Sequence, residues 1–210
     1  MTRIVAGTVG GRTIQVPPRG TRPTSDRVRE AIFSRLDHYG VVDDARVLDL
    51  YAGSGALGLE AASRGAREVT LVDSARVAVD VARRNVAALG LGDVRVVARS
   101  AEAFAAEGAA GGYHLVFLDP PYDLAADALD RVLAHLAAPG VLDPAAVVVV
   151  ERSTRGGAPT WPAGWELLAR KDYGETAVYY AGPVADDAAG HAPDDADERD
   201  LAADGATPRA

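Results

Sequence analysis

Asp49-Leu50-Tyr51-Ala52-Gly53-Ser54-Gly55-Ala56-Leu57-Gly58 continues the apolar run that begins at Arg46-Val47-Leu48. A short apolar run bounded by glycines is the pattern of a buried strand. Helix-forming Ala and Leu take over from Ala56, so the order is strand, glycine loop, helix. That order opens a doubly wound α/β sheet. Gly53, Gly55 and Gly58 also spell G-x-G-x-x-G, in which glycine lets backbone approach a ligand and lets helix and strand pack closely.

Outward from this loop, strands and helices alternate, which indicates a parallel sheet with crossover helices. Strands are expected at Arg46–Leu50, Glu68–Val72, Val94–Ala98, His114–Leu118 and Ala146–Val150, and helices near 56–64, 75–89, 101–107 and 124–137. In the last helix Leu129, Val132, Leu133 and Leu136 keep i, i+3, i+4, i+7 spacing. A closing hairpin, Glu166–Tyr173 and Thr176–Ala181, turns through Gly174-Glu175.

Before the sheet, Arg3–Val9 and Arg12–Val16 read as a hairpin turning at Gly10-Gly11. Pro17-Pro18-Arg19-Gly20 is a linker. Thr24 or Ser25 then caps a helix whose apolar stripe is Val28, Ile32 and Leu36, and Gly40 ends it. The expected division is an extension at 1–40, the α/β domain at 41–184, and a disordered acidic tail at 185–210.

The chain has 210 residues, 48% hydrophobic, and no cysteine. Disulfides, cysteine–zinc sites and thiol nucleophiles are therefore excluded. No signal peptide or 18-residue apolar run is visible, so a cytoplasmic protein without a membrane partner is expected. The net charge of −8 is unevenly spread: eight acids against Arg199 and Arg209 make the tail −6, while residues 1–36 carry seven arginines against two acids. A basic N-terminal surface on a near-neutral body suits phosphate binding, although an ordinary solvated face would look the same.

Asp119-Pro120-Pro121-Tyr122 follows the fourth strand run. Two prolines cannot continue a strand, so the chain turns rigidly at the sheet edge where ligands bind in such folds. The turn offers a carboxylate, a fixed carbonyl and an aromatic ring together. That trio suits activation of an exocyclic amine on a nucleobase. The Asp119 carboxylate and the Pro120 carbonyl take the two N–H hydrogens and favour the charge that grows on nitrogen. Pro121 stiffens the turn. Tyr122 stacks on the base, a contact worth roughly 1–3 kcal/mol.

The glycine loop alone suits NAD or FAD as well as S-adenosylmethionine. Three features favour S-adenosylmethionine. Asp49, ahead of the glycines, repels a pyrophosphate but can pair with an ammonium. No Lys or Arg follows the loop closely. The amine-holding turn lies on a strand expected beside the first. Ala52, Gly53, Ser54 and Gly55 then line the cofactor, and Asp73 with Ser74 meets its ribose. Asp49 as a helix cap and Asp73 as a turn residue are the structural alternatives.

Four stretches together resemble the RsmD-type small-subunit rRNA guanine-N2 methyltransferases: Gly10-Gly11-Arg12 with Val16-Pro17; Arg22-Pro23-Thr24-Ser25-Asp26-Arg27-Val28-Arg29-Glu30-Ala31-Ile32-Phe33; Leu48–Ala61 continuing to Ala66; and Asp119–Tyr122. The resemblance spans residues 1–183. It implies a Rossmann-like, seven-stranded S-adenosylmethionine-dependent methyltransferase fold with the last strand antiparallel, preceded by a small hairpin-and-helix extension. It implies methyl transfer to N2 of one guanine in 16S rRNA, on the free RNA or on an assembling small subunit. It also implies that the extension holds RNA, with Arg12, Arg22, Arg27 and Arg29 as candidate phosphate contacts; helix-start ion pairs with Asp26 or Glu30 are their structural alternative. No metal ligand cluster is visible, and a monomer is expected.

Such enzymes usually place an acid near the cofactor's adenine after the third strand, where this chain has Ser100. The Ser100 hydroxyl, the Ala101 N–H and Glu102 are the candidates for that contact. His114 is expected to be structural. The rival readings are an amine methyltransferase acting on DNA adenine or protein glutamine, an NAD-dependent oxidoreductase, and a non-catalytic RNA-binding assembly factor.

Overall fold

The chain opens with two short paired strands, β1 (Thr2–Arg3) and β2 (Thr13–Ile14), and helix α1 (Asp26–Tyr39). The computed structural model describes residues 2–17, 25–107, 111–121 and 123–184. Arg22, Tyr122 and the expected tail at 185–210 lie outside the described residues. The hairpin is shorter than its sequence predicts, with Thr2 opposite Ile14 and Arg3 opposite Thr13. Beyond Ile4 the backbone leaves its partner because helix α2 (Ala56–Ser63) takes its N–H groups. Val5 and Ala6 donate to the Glu60 carboxylate at 2.6 and 3.0 Å, and Thr8 donates to the Ser63 carbonyl at 2.7 Å.

Helix α1 starts as the cap chemistry requires. Ser25 Oγ accepts the Val28 N–H at 3.2 Å, and Gly40 closes the helix at φ 68°.

Seven strands form the main sheet: β3 (Arg46–Leu50), β4 (Glu68–Asp73), β5 (Val94–Ala98), β6 (Tyr113–Leu118), β7 (Leu142–Ser153), β8 (Trp165–Tyr173) and β9 (Thr176–Pro183). Their order is β5-β4-β3-β6-β7-β9-β8. β3 to β7 run parallel, and β9 is antiparallel to both neighbours. The last strand is thus the antiparallel one, inserted between β7 and β8 by the turn at Gly174.

Helices α3 (Arg76–Leu89), α4 (Ala101–Ala106) and α5 (Ala126–Leu136) complete the crossovers. Alternate strand residues feed two cores. Val47, Leu71, Leu115 and Phe117 pack under α1, α2 and α3. Leu48, Leu50, Val116 and Leu118 pack under α4 and α5. Covering both faces explains why the strands read as continuous apolar runs. Ile4, Ile14, Ile32, Phe33 and Leu36 belong to the first core, so the N-terminal segment and α1 share the sheet's interior.

Candidate active site at the carboxyl edge of the sheet

β3 and β6 are neighbours in register, Leu50 opposite Leu118. The glycine loop after β3 and the Asp119 turn after β6 therefore leave the sheet side by side. The loop is pinned from both ends. Ala52 N–H donates to the Val72 carbonyl at 3.0 Å and Gly55 N–H to the Ala52 carbonyl at 2.6 Å. Gly53 and Gly55 adopt φ of 56° and 82°, where glycine carries no Cβ penalty. A Cβ on Gly55 would meet Leu71 at 2.8 Å, whereas one on Gly53 would meet nothing nearer than 4.0 Å. Gly53 thus presents an open backbone face to the sheet edge. Gly58 abuts Leu71 and Val69, the close helix–strand contact expected of the third glycine.

Tyr51 holds a left-handed φ of 65° without being glycine, a strained backbone of the kind found at functional sites. Burial pushes its phenol up to about 12, and the charge of Glu102 adds to the rise.

Asp49 corrects one expectation. Its side chain is 1% exposed, and Oδ2 accepts the Gly58 N–H at 2.9 Å. It caps the third residue of α2, whose N-cap is a glycine with no side chain to do so. A carboxylate sealed beneath the loop does not reach out to an ammonium. Burial pushes its carboxyl up to about 8; the Gly58 hydrogen bond opposes that, and the charges of Asp119 and Asp73 add to it. Three carboxylates are thus close enough to feel one another at this edge.

Asp73 is half-buried at the end of β4, and Ser74 beside it is exposed. Asp73 Oδ2 accepts the Gly53 N–H and Oδ1 the Ala75 N–H, both at 2.8 Å. Each oxygen keeps a further lone pair for a hydroxyl donor. Ser54 is buried. Ser100 is exposed and caps α4, accepting the Ala103 N–H at 3.2 Å, while Ala101 is buried. Glu102, a possible substitute for the missing acid, pairs with Arg131 at 2.8 Å.

Past β6, Asp119 is half-buried, Pro120 buried and Pro121 exposed. The Pro121 carbonyl accepts the Leu124 N–H at 2.9 Å, closing a turn that fixes the segment. A groove of about 230 Å³ beside Pro139, Pro144, Trp165 and Pro183 lies at the opposite end of the strands, away from this chemistry. Among the described residues no His, Cys, Asp and Glu cluster could hold a metal ion, and no helix is long and apolar enough to cross a membrane.

The profile of the family described as Conserved hypothetical protein 95 matches residues 2–182. The ribosomal RNA small subunit methyltransferase D of Escherichia coli K12 is 40% identical over 176 residues, covering 83% of this chain and 86% of that protein. The chain belongs to this RsmD-type family. Its Haemophilus influenzae relative of the same name is 32% identical over 82% of this chain and 89% of its own. The solved Escherichia coli protein assigned as methyltransferase yhhF is 37% identical with a TM-score of 0.78, over 88% of this chain and 99% of that one. Magnesium protoporphyrin IX methyltransferase from Synechocystis, solved with S-adenosylmethionine, shares the fold at 16% identity and TM-score 0.59, over 75% of this chain and 79% of that one.

Within this RsmD-type chain the nominated arginines divide. Arg29 is a correction: it is fully buried, its Nη2 pairing with Asp26 at 2.9 Å and its Nε lying 3.7 Å from Glu60. Its position on the inner face of α1 makes it an internal tie between the extension and α2, not a phosphate contact. Arg12 donates to the Leu89 carbonyl at 3.0 Å and to that of Ala88, so it caps the C-terminal end of α3. Arg27 is exposed.

Two buried polar residues escaped the sequence reading. Asn85 is 2% exposed; its Nδ2 donates to the carbonyls of Ser54 and Gln15, and its Oδ1 accepts the Gln15 N–H, all at 2.9 Å. It joins the glycine loop to the N-terminal segment. Its signal was a polar residue on α3's buried stripe with Ala78, Ala82 and Leu89. Glu60, a charge inside the apolar run of α2, carried the same signal. His114 is structural as expected, Nδ1 accepting the Arg46 N–H at 3.1 Å.

Proposed function

We propose that this protein transfers a methyl group from S-adenosylmethionine to the exocyclic N2 of a guanine in 16S rRNA, working in the cytoplasm as a monomer on free RNA or an assembling small subunit. The observation that carries the reading is the adjacency of the glycine loop and the Asp119-Pro120-Pro121 turn on neighbouring strands of a chain that belongs to the RsmD-type family.

The residues present fit the cofactor. The open face at Gly53 admits a ligand against the backbone. The carboxylates of Asp73 and Asp119, whose charges act on the buried Asp49, make this edge electronegative, which suits a cation and opposes the pyrophosphate of NAD or FAD. In this reading Ala52, Gly53, Ser54 and Gly55 line the methionine end, Asp73 with Ser74 receives the ribose, and Ser100 with Ala101 borders the adenine. When bound, S-adenosylmethionine supplies an electrophilic methyl carbon on a cationic sulfur.

The protein's share is orientation and charge. Asp119 and the Pro120 carbonyl accept the two N–H bonds of the guanine amine and turn its lone pair toward the glycine loop. Asp119 also balances the positive charge developing on nitrogen, and that charge leaves with the proton. Pro121 and its turn keep the two acceptors in place. Tyr122 stacks on a base already drawn out of its helix.

The test is transfer of labelled methyl to 16S rRNA from a strain lacking the gene, followed by nucleoside digestion. The expected product is N2-methylguanosine, lost in Asp119→Ala. Label in N6-methyladenosine would redirect the chemistry to adenine, and absence of label in any RNA would favour a binding-only assembly factor.

A further inference from the structure

Helix α3 carries three exposed arginines, Arg76, Arg83 and Arg84. Among the described residues most exposed arginines elsewhere have a carboxylate: Arg3 with Asp26, Arg67 with Asp44, Arg99 with Glu107, Arg131 with Glu102, Arg155 with Glu175 and Arg170 with Asp172. Among the described residues the three on α3 have none, although Asp80 lies one turn away on the same helix. Arg84 Nε instead meets Gln15 Oε1 at 3.3 Å, on the segment whose Arg12 caps the same helix. Arg12 therefore adds its charge at the far end. Arg76 and Arg83 are seven residues apart, two turns along one stripe and about 10 Å of rise.

Unneutralised guanidinium groups lined along one helix are the footprint of a polyanion, not of internal stabilisation. The helix also points somewhere useful. Its first residue follows Asp73 and Ser74 at the carboxyl edge of β4, and its last turn meets the N-terminal segment. A strand of RNA laid along it would run from that segment to the proposed methyl-transfer edge.

We infer that the outer face of α3, through Arg76, Arg83 and Arg84, is a docking ridge for the phosphate backbone of the substrate RNA. This rests on the rRNA reading above but adds a surface outside the N-terminal arginines nominated by the family's sequence pattern. Each phosphate contact in single-stranded RNA contributes a salt slope of about −0.7, so three contribute about −2.

The experiment measures binding of a 16S rRNA transcript to the full chain and to Arg76→Ala/Arg83→Ala/Arg84→Ala between 0.1 and 1 M salt. The expected result is a slope shallower by about 2 and affinity weakened roughly 100-fold at 0.1 M, the gap closing toward 1 M. S-adenosylmethionine affinity and thermal midpoint stay at the parent's values, and kcat recovers at saturating RNA. If the triple variant unfolds, Arg76→Ala and Arg83→Ala singly each lose about 0.7 of slope. Variants with the parent's slope and affinity overturn the ridge. Methyl transfer by the parent, scored separately, decides the enzymatic reading: a parent that binds with this slope yet methylates nothing refutes that reading and leaves the ridge standing.

Discussion

Asp49 shows how a single carboxyl can tie stability to pH. In the unfolded chain it ionises near 3.8, whereas in the folded protein it does so at about 8. Between those values the folded state keeps a proton that the unfolded state has released, so raising pH favours unfolding. Stability contributed by this group is complete below about pH 4 and is lost progressively toward pH 8. Asp49→Asn keeps an acceptor for the Gly58 N–H and removes the titration. Denaturation of both proteins across this range should give curves with a constant offset below pH 4, the variant gaining on the parent above it; parallel curves throughout would show that Asp49 ionises normally. A cation bound at this edge favours the charged carboxylate, so S-adenosylmethionine binding near pH 7.5 should release protons, measurable by calorimetry in two buffers of different ionisation enthalpy. Asn85 makes a second prediction at this scale. Asn85→Ala strands the two carbonyls and one N–H that its amide now satisfies. Each buried orphan costs about 1–3 kcal/mol, and partial access of water brings the total to about 3 kcal/mol. Because one orphan is the Ser54 carbonyl, cofactor affinity should fall together with stability; unchanged affinity would detach Asn85 from the loop.

Secondary elements were the most legible layer of this sequence. Strand β3 and strand β5 begin and end where apolar periodicity places them, and α1 starts at Ser25 because a serine hydroxyl is the cheapest acceptor for a first-turn N–H. The N-terminal hairpin forms, but its strands are shorter than the sequence pattern predicts, for a physical reason. Its alternating pattern is real, but Glu60 and Ser63 compete for the backbone donors of Val5, Ala6, Thr8 and Val9, and only long-range geometry reveals that competition. Gly7 and Gly11 separate the two ideas. Both have left-handed backbones, φ 83° and 80°, but a Cβ on Gly7 would overlap the Ser63 carbonyl while one on Gly11 would meet nothing within 4 Å. Gly11→Ala should therefore cost only its conformational strain, about 1–2 kcal/mol. Gly7→Ala adds overpacking of a further 1–3 kcal/mol or so. Urea midpoints for the two variants test this, and equal losses would mean that the segment is not held against α2.

At the scale of the molecule, the site was legible where chemistry repeats in short motifs and illegible where it depends on what lies underneath. The Asp119 turn and the glycine loop could be placed on neighbouring strands once the alternation of strands and helices suggested the doubly wound strand order, and the two strands are neighbours. That Asp49 would be sealed beneath the loop, or that Arg29 would face inward, could not, because burial of a charge depends on a partner distant in sequence. Arg29 and Glu60 illustrate the consequence. Both are fully buried, 31 positions apart in the chain, and Glu60 also receives the Val5 and Ala6 N–H groups and the Arg64 Nε at 2.8 Å. Removing the N-terminal forty residues deletes Arg29, the two backbone donors and the side chains of Ile4, Ile14, Ile32, Phe33 and Leu36 from one core. A buried carboxylate deprived of such partners costs about 3–5 kcal/mol, and the uncovered apolar face adds to that. A chain of residues 41–184 should therefore fail to unfold cooperatively and should expose apolar surface to a dye such as ANS. Cooperative melting near the full-length midpoint, with RNA affinity alone diminished, would instead mark the extension as a detachable RNA-binding module.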